Sequence, residues 1–265
     1  MDSGSTLGVG DVLGRVFDLY KAHFGVLIPA AFWLFLIVSI LSGIVSQGNV
    51  GLLLIVAVVS FAVAILYQGM VVSLVHDVQD GRRDSSVGEL FRSVGPVLGP
   101  LIGASLLYGF GVGIGFFLLV VPGCILLTIW AVIAPAIVIE KRDVIAAFGR
   151  SRELVRGFGW PVFGTVIVAT LITAIASLIL TGIAEAIAGG PILRIVFGAL
   201  ASTLTAPIGG LVAAVLYYRL LELKNESAPR HPSDHGGQDE WNEPVPPPDP
   251  PPPPSPGPGT PGVDG

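Results

Sequence analysis

The sequence predicts an all-α integral membrane protein with six transmembrane helices, and three observations support this fold class. Of the 265 residues, 52% are hydrophobic and only 12% are charged, against a charged share of ~25% in a typical soluble domain. Six apolar runs approach or exceed the length that crosses a bilayer. Basic residues lie almost entirely between alternate runs. These observations argue against a soluble enzyme.

The six predicted spans differ in how well they match a bilayer. A spanning helix needs ~20 mostly apolar residues. The fourth run is the shortest and would rise ~24 Å as a straight helix, less than a ~30 Å hydrocarbon core. In an alternative interpretation, residues 97–139 form a re-entrant hairpin instead of two spans. The predicted spans are Phe24–Val45, Gly51–Val75, Val97–Val121, Cys124–Ile139, Phe158–Ile187 and Leu193–Tyr218.

The placement of basic residues predicts the topology. Of the 14 lysine and arginine residues, all but Arg194 lie on one side of the alternating spans. The positive-inside rule then places both termini in the cytoplasm. The connections on the opposite side are predicted at residues 46–49, Pro122–Gly123 and 188–192. Residues 1–6 carry no positive charge ahead of an apolar core, so no cleavable signal peptide is expected.

Three amphipathic segments each precede a pair of spans on the predicted cytoplasmic side. Residues 8–22, 86–94 and 143–156 carry apolar side chains at helical spacing and charged side chains on the other face. Ser86 and Glu89 have the spacing of a capping box, and Asp143 is the predicted N-cap of the third segment. We interpret the layout as a threefold internal repeat of one interfacial helix plus two spans. Three unrelated interfacial helices are the alternative.

The C-terminal residues 225–265 differ from the membrane domain 1–224 in composition. They carry a net charge of −6, which leaves +1 for the rest, and residues 228–265 hold 14 of the 22 prolines. This composition predicts a disordered cytoplasmic tail with a polyproline II segment. The tail is interpreted as a solubilising segment, with docking of a proline-recognising protein partner as the alternative. Neither part is basic enough to suggest nucleic-acid binding.

Few residue patterns indicate chemistry. The single cysteine, Cys124, excludes an internal disulfide and a cysteine-built zinc site. No metalloprotease or aspartyl protease motif is present, so neither a catalytic residue nor a metal or cofactor is expected. The third run contains two GxxxG pairs, Gly109/Gly113 and Gly111/Gly115, which predict close helix packing. In the alternative interpretation, these glycines loosen a helix that moves.

Basic residues of the third amphipathic segment are the candidate site for lipid headgroups or a partner. Arginines on an interfacial helix each attract an anionic leaflet by ~1 kcal/mol, and a neighbouring serine can bond back within the helix. Topological anchoring alone is the alternative. The candidate residues are Arg150, Ser151, Arg152 and Arg156.

Two stretches carry more specific motifs. One is the opening Leu13–Gly25, and the other runs from Pro122–Gly123 through Trp130, Pro135 and Glu140 to Ala147–Trp160. They resemble the multi-pass membrane domain attached to some bacterial glycerophosphoryl diester phosphodiesterases, which also occurs alone in bacterial membrane proteins. The resemblance covers about residues 7–224. It implies no catalysis, since the family's activity lies in a separate soluble barrel that this chain does not contain.

The sequence therefore predicts a non-catalytic membrane module that organises lipids or protein partners in a bacterial cytoplasmic membrane. A small transporter or channel lined by helices with glycine and proline interruptions is the alternative, and a membrane-embedded enzyme is third. The spans carry no acidic or basic side chains at mid-depth, which favours the first function. A polar cavity open at one face would favour the second.

Overall fold

The computed structural model describes residues 7–45, 50–81, 87–187 and 190–226. Within these ranges the chain forms α-helices and one 3₁₀ turn at Gly95–Val97, with no β-strand, which confirms the all-α prediction. The helices are α1 (Val9–Ala22), α2 (Phe24–Val45), α3 (Val50–Gln79), α4 (Val87–Val94), α5 (Leu98–Leu118), α6 (Val120–Ile129), α7 (Ile133–Val138), α8 (Val144–Val155), α9 (Gly159–Ile187) and α10 (Pro191–Leu223).

Six helical stretches of the described chain are long and apolar enough to cross a membrane, as predicted. The protein is therefore a polytopic membrane protein. The predicted connection at 46–49, the capping residue Ser86 and the tail from residue 227 lie outside the described residues, as do residues 188–189 of the connection predicted at 188–192. The last two residues of that connection already belong to α10, which begins at Pro191. The six stretches are Phe24–Gly43, Val50–Gln79, Gly88–Leu118, Val120–Val138, Gly159–Ile183 and Ile195–Leu223.

The turn between the third and fourth spans corrects the predicted Pro122–Gly123 connection. The chain reverses at Leu119, whose extended backbone has φ −166° and ψ 151°. Pro122 and Gly123 lie instead in the first turn of α6, where a proline is tolerated because its missing N–H has no helical acceptor. Gly123 brings the two helices together, since a Cβ built on Gly115 would lie 2.9 Å from the Cα of Gly123. The fourth span consequently starts at Val120, four residues before the predicted start.

Helices occur at all three predicted amphipathic segments, as α1, α4 and α8. Val12 and Val16 of α1 are buried, as are Ala147 and Val155 of α8. Asp143 has the extended backbone of an N-cap before α8, but its side chain makes no capping hydrogen bond. The location of these helices at a membrane surface and the threefold repeat stay predictions.

The buried core lies toward the end of the bundle where α3, α7 and α10 finish. Its largest fully buried side chains include Tyr67, Met70 and Tyr217. Helices α3 and α10 approach closely there, since a Cβ built on Gly210 would lie 2.9 Å from the side chain of Val71. Large apolar side chains toward the opposite end are exposed, Phe117 by 91%. That exposure is expected where helices face hydrocarbon rather than water.

Candidate functional site

A cavity of about 450 Å³ lies near the middle of the bundle. It is lined by residues of α3, α5, α9, α10 and the fourth span, which consists of α6 and α7. No acidic, basic or histidine side chain belongs to its lining in the described part of the chain. Most of the lining is apolar. The polar residues among it are Gln68, Ser105, Tyr108, Trp130, Thr170 and Thr173.

The fourth span is broken where it borders this cavity. α6 ends at Ile129 and α7 begins at Ile133, and Trp130 and Ala131 of the intervening turn line the cavity. Pro135 has no N–H, so the carbonyl of Ala131 lacks its usual helical donor four residues on. Irregular backbone at membrane depth is tolerated where it is buried in protein or lines a cavity. The break therefore supplies backbone polar groups to the cavity wall.

Ser151 of α8 stabilises the break. Its hydroxyl donates a hydrogen bond to the carbonyl oxygen of Ile129 at 2.8 Å. The Ser151 hydroxyl oxygen in turn accepts a hydrogen bond from the N–H of Val132 at 3.3 Å. Ser151 is completely buried. One side chain thus bridges the last residue of α6 and the residue before α7.

Several polar groups of the cavity have no hydrogen-bond partner in the part of the chain that the structure describes. Within the described residues, the amide of Gln68 makes no hydrogen bond, and neither do the hydroxyls of Ser105 and Tyr108 or the indole N–H of Trp130. The rings of Tyr108 and Trp130 lie close together, with centroids 6.4 Å apart. By contrast, the Thr170 hydroxyl donates to its own helix. An unpaired polar group in an apolar environment costs a few kcal/mol, so these groups favour an occupant that hydrogen-bonds.

The two GxxxG pairs of α5 have different roles. Gly111 and Gly115 face α6: a Cβ built on Gly111 would lie 2.5 Å from the Trp130 ring, and one on Gly115 would meet Gly123. This confirms the predicted close packing for one pair. A Cβ on Gly109 or Gly113 would meet nothing within 4 Å, so the packing prediction is wrong for that pair. Gly109 borders the cavity instead.

A second cluster of polar side chains lies where α7, α8 and α10 meet. Glu140 accepts hydrogen bonds from the Arg150 Nε and the Tyr217 hydroxyl, both at 2.8 Å, and it pairs with Arg142. Arg150 also pairs with Glu226, three residues after the end of α10. The side chains of Glu140 and Arg150 are only 6% and 10% exposed. This ion cluster fixes the chain just before the tail against α8.

The ion cluster shifts the pKa values of its two central groups. Burial opposes ionisation of the Glu140 carboxyl, but hydrogen bonds from Arg150, Tyr217 and Arg142 outweigh it and lower the pKa of Glu140. Burial of the Arg150 guanidinium is likewise outweighed by its bonds to Glu226 and Glu140, which raise its pKa. Both groups are therefore charged at neutral pH.

The structure separates the four predicted contact residues into two pairs. Arg150 and Ser151 are turned into the protein, one in the ion cluster and the other at the helix break. Arg152 and Arg156 are exposed. Contact with lipid headgroups or a partner stays a prediction, and the exposed pair carries it. The pattern of α8 did not reveal that Arg150 points inward, because its partners Glu140 and Glu226 are distant in sequence.

The sequence analysis did not predict the cavity residues, because it considered only ionisable side chains at mid-depth of the spans. Gln68 and Tyr108 are neutral, and single polar residues of this kind are common in spanning helices. The sequence did contain an indication of the helix break, because Pro135 lies in the shortest apolar run. Among the described residues, no group of three or more His, Cys, Asp and Glu side chains is placed to hold a metal ion.

Comparison with protein-family models, curated proteins and solved structures finds no match for this chain. The resemblance to the membrane domain of bacterial glycerophosphoryl diester phosphodiesterases therefore stays a prediction.

Proposed function

We propose that this polytopic membrane protein is a non-catalytic module that binds an uncharged, hydrogen-bonding molecule of the membrane in its central cavity. The observation that carries the proposal is the set of polar groups around one cavity, from Gln68, Tyr108 and Trp130, that have no hydrogen-bond partner among the described residues. A bound hydroxyl, ester or amide would satisfy them. The lack of charge in the lining favours an uncharged ligand, since an ion would need paired charges at this depth.

The polar groups also provide the selectivity. A ligand that moves from bilayer hydrocarbon into an apolar cavity gains little from the hydrophobic effect, because the two environments are alike. Its affinity must then come from hydrogen bonds and close packing. This physical argument supports lipid organisation of the kind that the sequence suggests, with the cavity rather than the arginines as the main site.

Binding is tested with full-length protein in nanodiscs and a long-chain monoacylglycerol as the probe. We expect Gln68→Leu and Tyr108→Phe each to weaken binding about fivefold to tenfold. Tyr67→Phe is the matched control, since the Tyr67 hydroxyl donates to the Leu27 carbonyl at 3.0 Å and Tyr67 is not part of the cavity. Equal affinity in all three variants, or a cavity that native mass spectrometry shows to hold only water, would reject the proposal.

Transport is a second candidate, favoured by the broken helix beside the cavity. Discontinuous helices form the binding sites of many transporters. A Cys124→Ser, Ala131→Cys variant in sealed vesicles distinguishes the two functions. Reaction with an impermeant maleimide from both faces would favour transport. Reaction with a membrane-permeant maleimide alone would favour binding from the bilayer.

We further propose a bacterial cytoplasmic membrane location with both termini in the cytoplasm. The uneven distribution of basic residues supports it, and the acidic tail would then be available to a protein partner that reads its prolines. In sealed cells, an impermeant maleimide should reach Cys124 from outside, after mild detergent if packing protects it. Asp234→Cys in a Cys124→Ser background should react only from inside. Labelling of that tail position from outside would overturn the topology.

A further inference from the structure

A groove of about 410 Å³ continues from the cavity along α5 toward its C-terminal end. The groove and the cavity share Phe61, Ser105 and Gly109 in their linings, so they adjoin each other at these residues. From Gly109 to Phe117 the groove follows α5 for ~12 Å, at 1.5 Å per residue. Polar groups that have no hydrogen-bond partner among the described residues thus lie at one end of an elongated, open apolar groove.

Glycines create the space in the groove. Gly109 and Gly113 lie one helical turn apart on α5, and a Cβ on either would meet nothing within 4 Å. Beside them the lining is formed by Phe110, Ile114 and Phe117, with Ser105 as its polar residue. The groove therefore has the character of hydrocarbon along its length and offers hydrogen bonds only where it joins the cavity.

We propose that the cavity and groove form one binding site for an uncharged single-chain amphiphile of the monoacylglycerol or long-chain alcohol class. Its polar end lies at Gln68 and Tyr108, and its chain follows Gly109 and Gly113 toward Phe117. The inference rests on the proposed function and adds the ligand's shape and orientation.

A second copy of the chain is the rival occupant, because GxxxG pairs also mediate helix association in membranes. An α-helix is ~10 Å across with its side chains. Such a helix could cover Gly113, but it would not enter the cavity to satisfy Gln68 and Tyr108. The position of the groove next to those polar groups therefore favours a chain with a polar end.

Two photoactivatable monoacylglycerols test the orientation in full-length protein in nanodiscs. One carries a diazirine beside the ester, and the other carries it at the end of the chain. We expect the first to label peptides around Gln68 and Tyr108, and the second to label α5 near Phe117. An identical or reversed pattern for the two probes would overturn the proposal.

Filling the groove provides an independent test. Gly113→Leu should reduce labelling by the chain-end probe about tenfold, because the added side chain overlaps the ligand. Gly99→Leu is the matched control on the same helix. Gly99 is exposed, and a Cβ built on it also meets nothing within 4 Å. It lines neither the cavity nor the groove. Equal loss in the two variants would contradict the assigned groove.

The outcomes distinguish this inference from the proposed function. If Gln68→Leu abolishes binding and Gly113→Leu does not change it, the cavity binds a ligand but the groove holds no chain. If neither substitution affects binding, both proposals fail. If Gly113→Leu converts a dimer into a monomer and leaves chain-end labelling unchanged, the groove belongs to a second copy and the inference is overturned.

Discussion

The Ser151 hydroxyl of α8 accepts a hydrogen bond from the N–H of Val132, which lies beside the cavity in the turn between α6 and α7. With its bond to the Ile129 carbonyl, this contact ties α8 to the turn that forms part of the cavity wall. The Ile129 carbonyl lies at the end of α6, and the Val132 N–H lies in the turn before α7. The shape of the cavity therefore depends on a helix that does not line it.

Removing this hydroxyl should loosen the break. Ser151→Ala leaves a buried carbonyl and a buried N–H without a partner, which we expect to cost about 1–3 kcal/mol of unfolding free energy. The N–H of Val132 should also exchange with solvent deuterium faster. Unfolding in a fixed detergent and hydrogen–deuterium exchange measure the two effects.

The control for this substitution is Ser42→Ala, because the exposed Ser42 hydroxyl bonds only within its own helix, to the Val38 carbonyl at 2.8 Å. It should change the unfolding free energy by less than ~0.5 kcal/mol. Equal stability of Ser151→Ala and wild type, with unchanged exchange at Val132, would show that the break needs no support from α8.

Acidification should weaken the ion cluster through Glu140. The pKa of this carboxyl is lowered in the folded protein by Arg150, Tyr217 and Arg142 against the effect of burial. A lowered pKa contributes stability above the unfolded value of ~4.3, and this stability is lost as the pH falls through the folded value. The difference in Tm between wild type and Glu140→Gln should therefore be largest at neutral pH and shrink as the pH decreases below about 4.

Glu222→Gln is the control for the pH series. The Glu222 side chain is 52% exposed and pairs with Arg219 at 2.8 Å on its own helix, and such surface pairs contribute little. Its Tm should follow that of wild type at every pH. A constant offset between wild type and Glu140→Gln over the whole pH range would contradict the role assigned to the charged carboxyl.

The arginines of α8 should separate into structural and lipid-binding residues. Arg152→Glu with Arg156→Glu should weaken attraction to anionic lipid by about 1 kcal/mol for each charge removed, with little loss of stability. The effect should decrease with added salt. Arg150→Gln should instead destabilise the fold by ~3 kcal/mol, since it leaves the buried Glu140 without its main partner.

Lipid contact is tested with full-length protein, because Arg150 acts within the folded protein. The Tm is measured in nanodiscs of neutral lipid and in nanodiscs of anionic lipid. The Tm of wild type should be higher in anionic lipid than in neutral lipid, and the double variant should show no such increase. An equal gain in both proteins would exclude lipid contact by Arg152 and Arg156.

The sequence was sufficient to predict the helices but not their polar contacts. The six spans follow from local hydropathy, and helices at α1, α4 and α8 follow from periodicity, since both are properties of neighbouring residues. One partner of Arg150 is Glu226, 76 positions away, and no local pattern reports such a contact. The Leu119 turn was misplaced because proline and glycine also suit the first turn of a helix, where Pro122 and Gly123 lie.

The two GxxxG pairs of α5 should respond oppositely to the same substitution. Gly115→Ala should destabilise the protein, because its Cβ would lie 2.9 Å from the Gly123 backbone, which cannot move aside as a flexible side chain could. The cost of such overpacking is about 1–3 kcal/mol. Gly109→Ala places its Cβ in open space, and replacing a helical glycine by alanine gains up to ~1 kcal/mol. Unfolding of both variants in one detergent should therefore lower the Tm for Gly115→Ala and leave it unchanged or raised for Gly109→Ala. A loss of stability in both would show that the open side of α5 is packed, against a partner or a tightly held lipid, in the purified protein.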